Sequence, residues 1–486
     1  MDVAQATVTP HAAQARIEIP RYVPRVTIAM LPDVALLEIF DFYLHNHEPW
    51  ERPTWHKLVH VCRKWRNIVF GSPGRLDLRL YCTLRTPVMK TLGVWPSLPI
   101  VIDINDYNDT PDADNIIAAL KQNERICELK LYLSRLSLIL KEKVFATIQQ
   151  PFPALTSLDL LLIDGIAPVD ANSFLGGSAP PHLQSLILFG IPIPGLPKLL
   201  LSATHLVRLS LSRIPHSGYF SPETMVTCLS VLTRLETLNF GFKSPRSRPD
   251  RRNPPPQTRT ILPVLTELCL HGVSEYVEDF VARIDAPLLN DLKITFFHRL
   301  VFDTPQLALF ISRTPRFSTH DKLEAQARFP SYFNPSFTTF DRRLSLAISC
   351  RKFDWQLSSL AQVCQSSFPQ ALISTVETLY ICQDRFSRDD FHDYNIESSQ
   401  WLEFLRPFTA VKHLYILPEF TPGIATALQG LVVETVTEVL PALQTFFLGT
   451  LPSEPIQEAI EKFAAARQPF SHSITVSRCG RECFDD

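Results

Sequence analysis

The sequence predicts a mixed α/β chain: a small all-helical domain, then an irregular repeat solenoid with a parallel sheet on its concave face. Three observations carry this. Residues 28–74 encode two short amphipathic helices. From residue 126 the pattern apolar-x-x-apolar-x-apolar recurs every 23 to 30 residues. The 486 residues include 40 prolines but only 15 glycines, where average usage gives about 24 and 34. Many prolines with few glycines suit short elements joined by rigid turns, and suit glycine-built phosphate loops poorly.

Residues 1–27 have no usable periodicity and read as a loose lead. The first helix is written in Leu31-Pro32-Asp33-Val34-Ala35-Leu36-Leu37-Glu38-Ile39-Phe40 and continues to Leu44. Proline fits a first helical position because its missing N–H has no intrahelical partner there, and Asp33 complements the positive end of the helix dipole. Val34, Leu37 and Phe40 form one stripe, which Leu36, Ile39 and Tyr43 widen. After a polar loop from Asn46 to Thr54, a second helix is expected over Trp55–Phe70. Its Leu58, Val61, Cys62, Trp65, Ile68 and Val69 follow i, i+3, i+4, i+7 spacing. Together the helices carry more apolar surface than they can hide in each other, so they need the following domain or a partner.

The repeat reads Ile126-Leu129-Leu131, Leu155-Leu158-Leu160, Leu183-Leu186-Leu188, Leu206-Leu209-Leu211, Leu235-Leu238-Phe240, Leu265-Leu268-Leu270 and Leu289-Leu292-Ile294. It resumes at Val376-Leu379-Ile381 and Val411-Leu414-Ile416, and more weakly at Leu443-Phe446-Leu448. A period of ~20–29 residues with this core is the leucine-rich-repeat signature. The gap from 289 to 376 is 87 residues, three times 29, so units can persist there in degraded form. Helix-like stretches at Leu196–Leu206, Glu223–Leu235, Gln306–Ser312, Leu357–Gln365 and Ile456–Ala466 alternate with the strands. Where the repeat usually places Asn or Cys, this chain has Ile163, Ile191, Ile214 and Val273, so the strand-to-helix turn is expected to close by packing alone. The predicted organisation is helical domain 28–74, linker or cap 75–125, solenoid 126–470 and tail 471–486. A Pro/Arg-rich insertion at 243–260 reads either as a solvated connection or as a localisation or phosphorylation tract around Ser244-Pro245 and Ser247.

With 47 basic and 49 acidic residues, the chain lacks the positive footprint of a nucleic-acid or anionic-membrane binder. No apolar run is long enough to span a bilayer, no secretory leader is visible, and eight of the ten cysteines stand singly among apolar residues. The expected compartment is cytoplasmic, nuclear or both. His56 and His60 have zinc-binding i, i+4 spacing, but Lys57 stands where a zincin has its catalytic Glu. Cys479 and Cys483 have no second pair at zinc-ribbon spacing. No nucleophile elbow or phosphate loop is present, so no catalytic residue, metal or cofactor is expected.

Leu31-Pro32-Asp33, Leu36-Leu37-Glu38-Ile39-Phe40 and Leu44, followed by Leu58-Val59-His60-Val61-Cys62-Arg63-Lys64-Trp65-Arg66, resemble the two halves of an F-box. With Leu78-Arg79-Leu80-Tyr81 and Val94-Trp95-Pro96 the chain resembles the fungal F-box proteins with degenerate leucine-rich repeats. It departs from them in the polar stretch 46–54, where an F-box has a short helical segment containing Leu. The resemblance implies a non-catalytic substrate receptor of a Skp–cullin–F-box ubiquitin ligase. Its F-box would dock on the Skp-type adaptor of the cullin core, and its repeats would capture a protein for ubiquitination. The alternative is a repeat scaffold uncoupled from ubiquitin transfer. The implied adaptor contacts are Leu31, Pro32, Leu36, Ile39, Phe40, Val61, Cys62 and Trp65, while Leu37, Leu58 and Val69 are assigned to internal packing.

Along each repeat strand, residues between the core positions point to the concave face. These are Asp159, Ile187, Phe189, Arg208, Ser210, Asn239, Glu267, His271, Asp291, Lys293, Tyr380, His413 and Tyr415. Mixed charge with aromatics suits a protein partner better than nucleic acid. The chosen substrate contacts are Phe189, Arg208, His271, Lys293, Tyr380, His413 and Tyr415.

Overall fold

Helix α1 (Asp33–His45) starts where Pro32 presents its carbonyl to the Leu36 N–H at 3.1 Å. The expected single second helix is instead two, α2 (Trp55–Val61) and α3 (Arg63–Gly71), broken at Cys62 in extended conformation. The break lets Leu58 and Val59 on α2 and Ile68 and Val69 on α3 all be buried, which one straight helix cannot achieve from a single stripe. Arg66 Nε donates to Val59 O at 3.0 Å across the break, and Lys64 Nζ donates to Leu31 O at 2.7 Å. The computed structural model describes residues 28–45, 55–72, 79–84, 88–94, 99–104, 111–134, 136–163, 169–170, 172–243, 258–297, 304–318, 323–329, 343–349, 361–362, 365, 373–383, 397–431, 435–449, 454–469 and 473–478. The lead 1–27, the loop 46–54, most of 357–365, the Ser244-Pro245 and Ser247 tract, Cys479 and Cys483 lie outside these.

The chain divides into two units, residues 1–78 and 79–486. In the second, 15 described strands form one parallel sheet. They are β1 (Arg79–Leu80), β2 (Ile100–Ile104), β3 (Ile126–Tyr132), β4 (Ser157–Leu161), β5 (Ser185–Phe189), β6 (Arg208–Ile214) and β7 (Thr237–Phe242). After them β8 (Thr260–Ile261) pairs aside with β10 (Ile284–Asp285), while β9 (Glu267–Gly272) and β11 (Asp291–Phe297) continue the main sheet. It is completed by β12 (Leu323–Phe329), β13 (Arg343–Ser349), β14 (Val376–Gln383), β15 (His413–Ile416), β16 (Thr445–Leu448) and β17 (Thr475–Arg478).

The fold is thus the expected α/β repeat solenoid, with three corrections to its plan. Residues 75–125, expected as a linker or cap, are no bare linker: β1 and β2 add an edge to the sheet ahead of residue 126. The tail 471–486 contributes β17. The array runs on through 300–375, but β13 lies between β11 and β12, so spatial order departs from chain order there.

Registry is set by the leucines. Leu129, Leu158, Leu186, Leu209, Leu238, Leu268 and Leu292 occupy one row, each at most 1% exposed. Each such side chain contributes roughly 1.5–3 kcal/mol relative to exposure, and a one-residue slip would turn the whole row to the other face. Helices cover this face, as where Phe240 meets Phe280 and Phe446 meets Phe463.

The strand-to-helix turns do not close by packing alone. Main-chain bonds from Leu133 N to Leu161 O, Leu162 N to Phe189 O and Gly190 N to Ser212 O carry the ladder past the strand ends. Such bonds take over the ladder that a buried Asn would provide. Gly190 has φ +73°, and a side chain there would strike the Leu162 carbonyl. Ile191 and Ile214 are buried, but Ile163 is 45% exposed. Nor is the whole of 243–260 a solvated insertion: Arg259 Nε donates to Ala282 O at 3.3 Å, and Thr260 enters β8.

Candidate functional site

The helical unit partitions its apolar residues between two sides of α1. Leu36 and Phe40 are fully buried, Phe40 with its ring 4.7 Å from Trp65. They were expected to contact an adaptor and are corrected to core, because packing on Trp65 consumes Phe40. On the opposite side Val34 (67%), Ile39 (43%) and Phe42 (71%) are exposed, and Val61 on α2 is 57% exposed. Pro32 and Cys62 are also exposed, whereas Leu31 and Trp65 are half-buried. Of the side chains assigned to internal packing, Leu58 and Val69 are buried and Leu37 is half-buried.

On the repeat sheet all seven expected substrate contacts occupy strand positions between core residues. They do not form one site. Arg208 is exposed at the start of β6, between Ser185 and Thr237. Lys293 Nζ lies 3.2 Å from the Asp291 carboxylate and is thereby engaged. Tyr380, Tyr415 and Phe447 form a stack, with centroids 4.5 and 4.2 Å apart and planes 19° and 9° from parallel, and His413 lies 6.1 Å from Phe447. At the other end Asp103, Lys130 and Asp159 stand abreast on β2, β3 and β4, with Arg79 2.5 Å from Asp103. Burial pushes the Asp159 carboxyl up to about 6, the Asp103 charge adds to this, and Lys130 opposes it.

Beside Phe189 stands a residue that the strand pattern hides. Simple alternation from Leu209 and Leu211 would send Arg213 into the core. Instead, Leu211 pairs with Phe240 and Ile214 with Phe242, so Ser212 and Arg213 both oppose Gly241. This is a β-bulge, a device that re-aims side chains. It buries Ile214 and places the Arg213 guanidinium 5.6 Å from the Phe189 ring centre on the open face. Arg213 has φ +52°, a left-handed conformation costing about 1–2 kcal/mol for a residue with a Cβ.

Gly241 pairs in turn with His271 on β9, and His271 with Thr295 on β11. A Cβ at Gly241 would lie 2.8 Å from the His271 Cβ, so glycine is required for the imidazole to lean this way. The Phe297 ring packs 4.5 Å from the imidazole. Burial, and secondarily the Arg213 charge, push His271 down to about 4, leaving it neutral at pH 7. Its Nε2 is shielded from solvent and has no hydrogen-bond partner. Sequence reasoning missed Arg213, Phe297 and Phe447. Phe447 had a signal, as the alternating residue of the weak Leu443-Phe446-Leu448 unit, and so had Phe297, which continues the alternation of Lys293 and Thr295; Arg213 had none.

Among the described residues no cluster of three or more His, Cys, Asp or Glu is arranged to hold a metal ion, and no described helix is long and apolar enough to cross a membrane. No protein-family profile matches the chain, and no curated protein matches it in sequence. Among solved structures, the leucine-rich-repeat-containing protein LegL7 from Legionella pneumophila is similar at 12% identity and a TM-score of 0.29, with 80% of this chain and 98% of that one covered.

Proposed function

We propose that this chain is a non-catalytic substrate receptor of a Skp–cullin–F-box ubiquitin ligase, acting in the cytoplasm or nucleus. The helical unit docks on the Skp-type adaptor, and the open face of the repeat sheet captures a protein. One observation carries the reading: Val34, Ile39, Phe42 and Val61 stay exposed although the same helices bury a full stripe elsewhere. Burying them against an adaptor contributes roughly 1.5–3 kcal/mol per large side chain. The Leu31-Pro32 and Val61-Cys62 pairs, which carry the family resemblance, are accessible or half-accessible beside them. Leu36 and Phe40 support the contact from within.

Co-purification with a Skp-type adaptor tests the reading. An Ile39→Asp, Val61→Asp double variant is expected to lose the adaptor with an unchanged melting temperature. An adaptor that stays bound overturns the docking surface. Partner lifetime, with and without the chain, separates a receptor from a scaffold uncoupled from ubiquitin transfer, which leaves that lifetime unchanged.

A further inference from the structure

We propose that the Tyr380–Tyr415–Phe447 stack seats an arginine side chain of a protein partner, with the guanidinium lying on the outer face of Phe447 above Ser477. This deepens the reading of the repeat face as a protein-capturing surface and rests on it. The core positions on either side of Phe447, Phe446 and Leu448, are at most 1% exposed, so Phe447 stands on the open face. Its ring lies 4.2 Å from that of Tyr415, with planes 9° from parallel. One face of the ring is therefore occupied by Tyr415, and the other turns toward β17. There Ser477 pairs with Phe447 in register, and its hydroxymethyl group is too small to cover a phenyl ring. Among the described residues β17 is the last strand of the sheet, so an approach past Ser477 crosses no further described strand.

The spacing fits a planar group. Neighbouring strands lie ~4.8 Å apart, and the rings already in the row repeat at 4.5 and 4.2 Å. A plane set over Ser477 continues that repeat, and it stays inside the roughly 6 Å at which a cation is attracted to a ring face. The Ser477 hydroxyl below it can accept a hydrogen bond from a guanidinium N–H.

Charge selects the planar group. Residues 373–486, which carry the whole stack, contain 16 acidic and eight basic side chains, a net charge of −8 in a chain whose total is −2. The field of that part of the chain draws in cations and gives a partner tyrosine or tryptophan no advantage. Of the two cationic side chains, lysine ends in a compact, strongly hydrated ammonium. Arginine ends in a flat, weakly hydrated guanidinium that stacks on aromatic faces.

The test follows the fluorescence anisotropy of labelled peptides titrated with the full chain at physiological salt. One peptide carries arginines separated by Gly-Ser pairs; a second has lysine, and a third tyrosine, in their place. The arginine peptide is expected to bind about fivefold more tightly than the lysine peptide of equal charge, and more tightly than the tyrosine peptide. Phe447→Leu is expected to erase the arginine preference. Ser477→Tyr guards against misfolding: its ring extends the stack and fills the seat, so its melting temperature is expected to hold or rise while arginine binding falls to the lysine level. Equal binding of arginine and lysine, tightest binding of tyrosine, or an arginine preference that survives in either folded variant overturns the proposal. The titration needs neither adaptor nor substrate. An arginine preference without adaptor binding therefore refutes the receptor reading alone, and the reverse refutes the site alone.

Discussion

The helical unit and the repeat unit treat apolar side chains in opposite ways. In the repeats the Leu rows are out of water, and the alternating positions carry Asp, Lys, Ser, Asn, Tyr and His. In the helical unit Phe40 is buried while Phe42, two residues on, is 71% exposed. Size explains part of this. A few short helices bury a smaller fraction of their surface than a long stack whose every repeat is covered by its neighbours. Size does not explain why the surplus is Val, Ile and Phe rather than Lys and Glu, since a free surface of that composition invites association. The difference teaches that the repeats hide their apolar rows within their own stack, while the helical unit leaves Val34, Ile39, Phe42 and Val61 exposed.

The comparison breaks most directly at Phe240. This ring is buried among Phe220, Phe242, Tyr276 and Phe280 at 5.0 to 6.4 Å. Phe240→Ala is expected to cost about 4 kcal/mol, read as a lower urea midpoint and as faster amide exchange in β6, β7 and β9. In the helical unit the matching change, Phe40→Ala, is expected to cost about 3 kcal/mol through the cavity left against Trp65. Ile39→Asp, one residue away on the exposed side, is expected to change stability by less than about 0.5 kcal/mol. Equal costs at residues 39 and 40 would erase the two-sided helix.

An effect smaller than at either phenylalanine, and of opposite sign, is expected at Asp159, on the charged end of the sheet. Its folded pKa is raised from 3.8 to about 6, so between those values the native state binds more protons than the unfolded chain, and stability falls as pH rises. Asp159→Asn removes that penalty. The variant is expected to be about 1 kcal/mol more stable than the parent at pH 7.5, after discounting for partial exposure, and indistinguishable near pH 4. A melting-temperature difference that grows toward acid would reverse the assignment.

The Leu ladder was legible because strand side chains alternate with period two, and because burial of one face penalises any slip. β1 and β2 were not legible. Ile100-Val101-Ile102-Asp103-Ile104 has strand character but no Leu spacing to mark it as a repeat, and its place depends on pairing with β3. The break at Cys62 was hidden because Trp55–Phe70 satisfies helical spacing throughout. Only packing on α1 distinguishes one helix from two. On the open face of the sheet, Phe189 and His271 were readable from alternation, and Arg213 was misdirected by it.

From residue order alone follow the two-part organisation, the parallel repeat core and the outward-facing set on each strand, since these depend on local spacing and on hiding leucine from water. Tertiary contacts decided the rest. Phe40 is core and Ile39 surface because Trp65 lies on one side of the helix. β13 lies between β11 and β12 through pairing between distant segments. Arg213 faces out because Phe242, on the neighbouring strand, takes Ile214 as its partner. In each case the deciding neighbour is remote in sequence, where spacing along the chain has no reach.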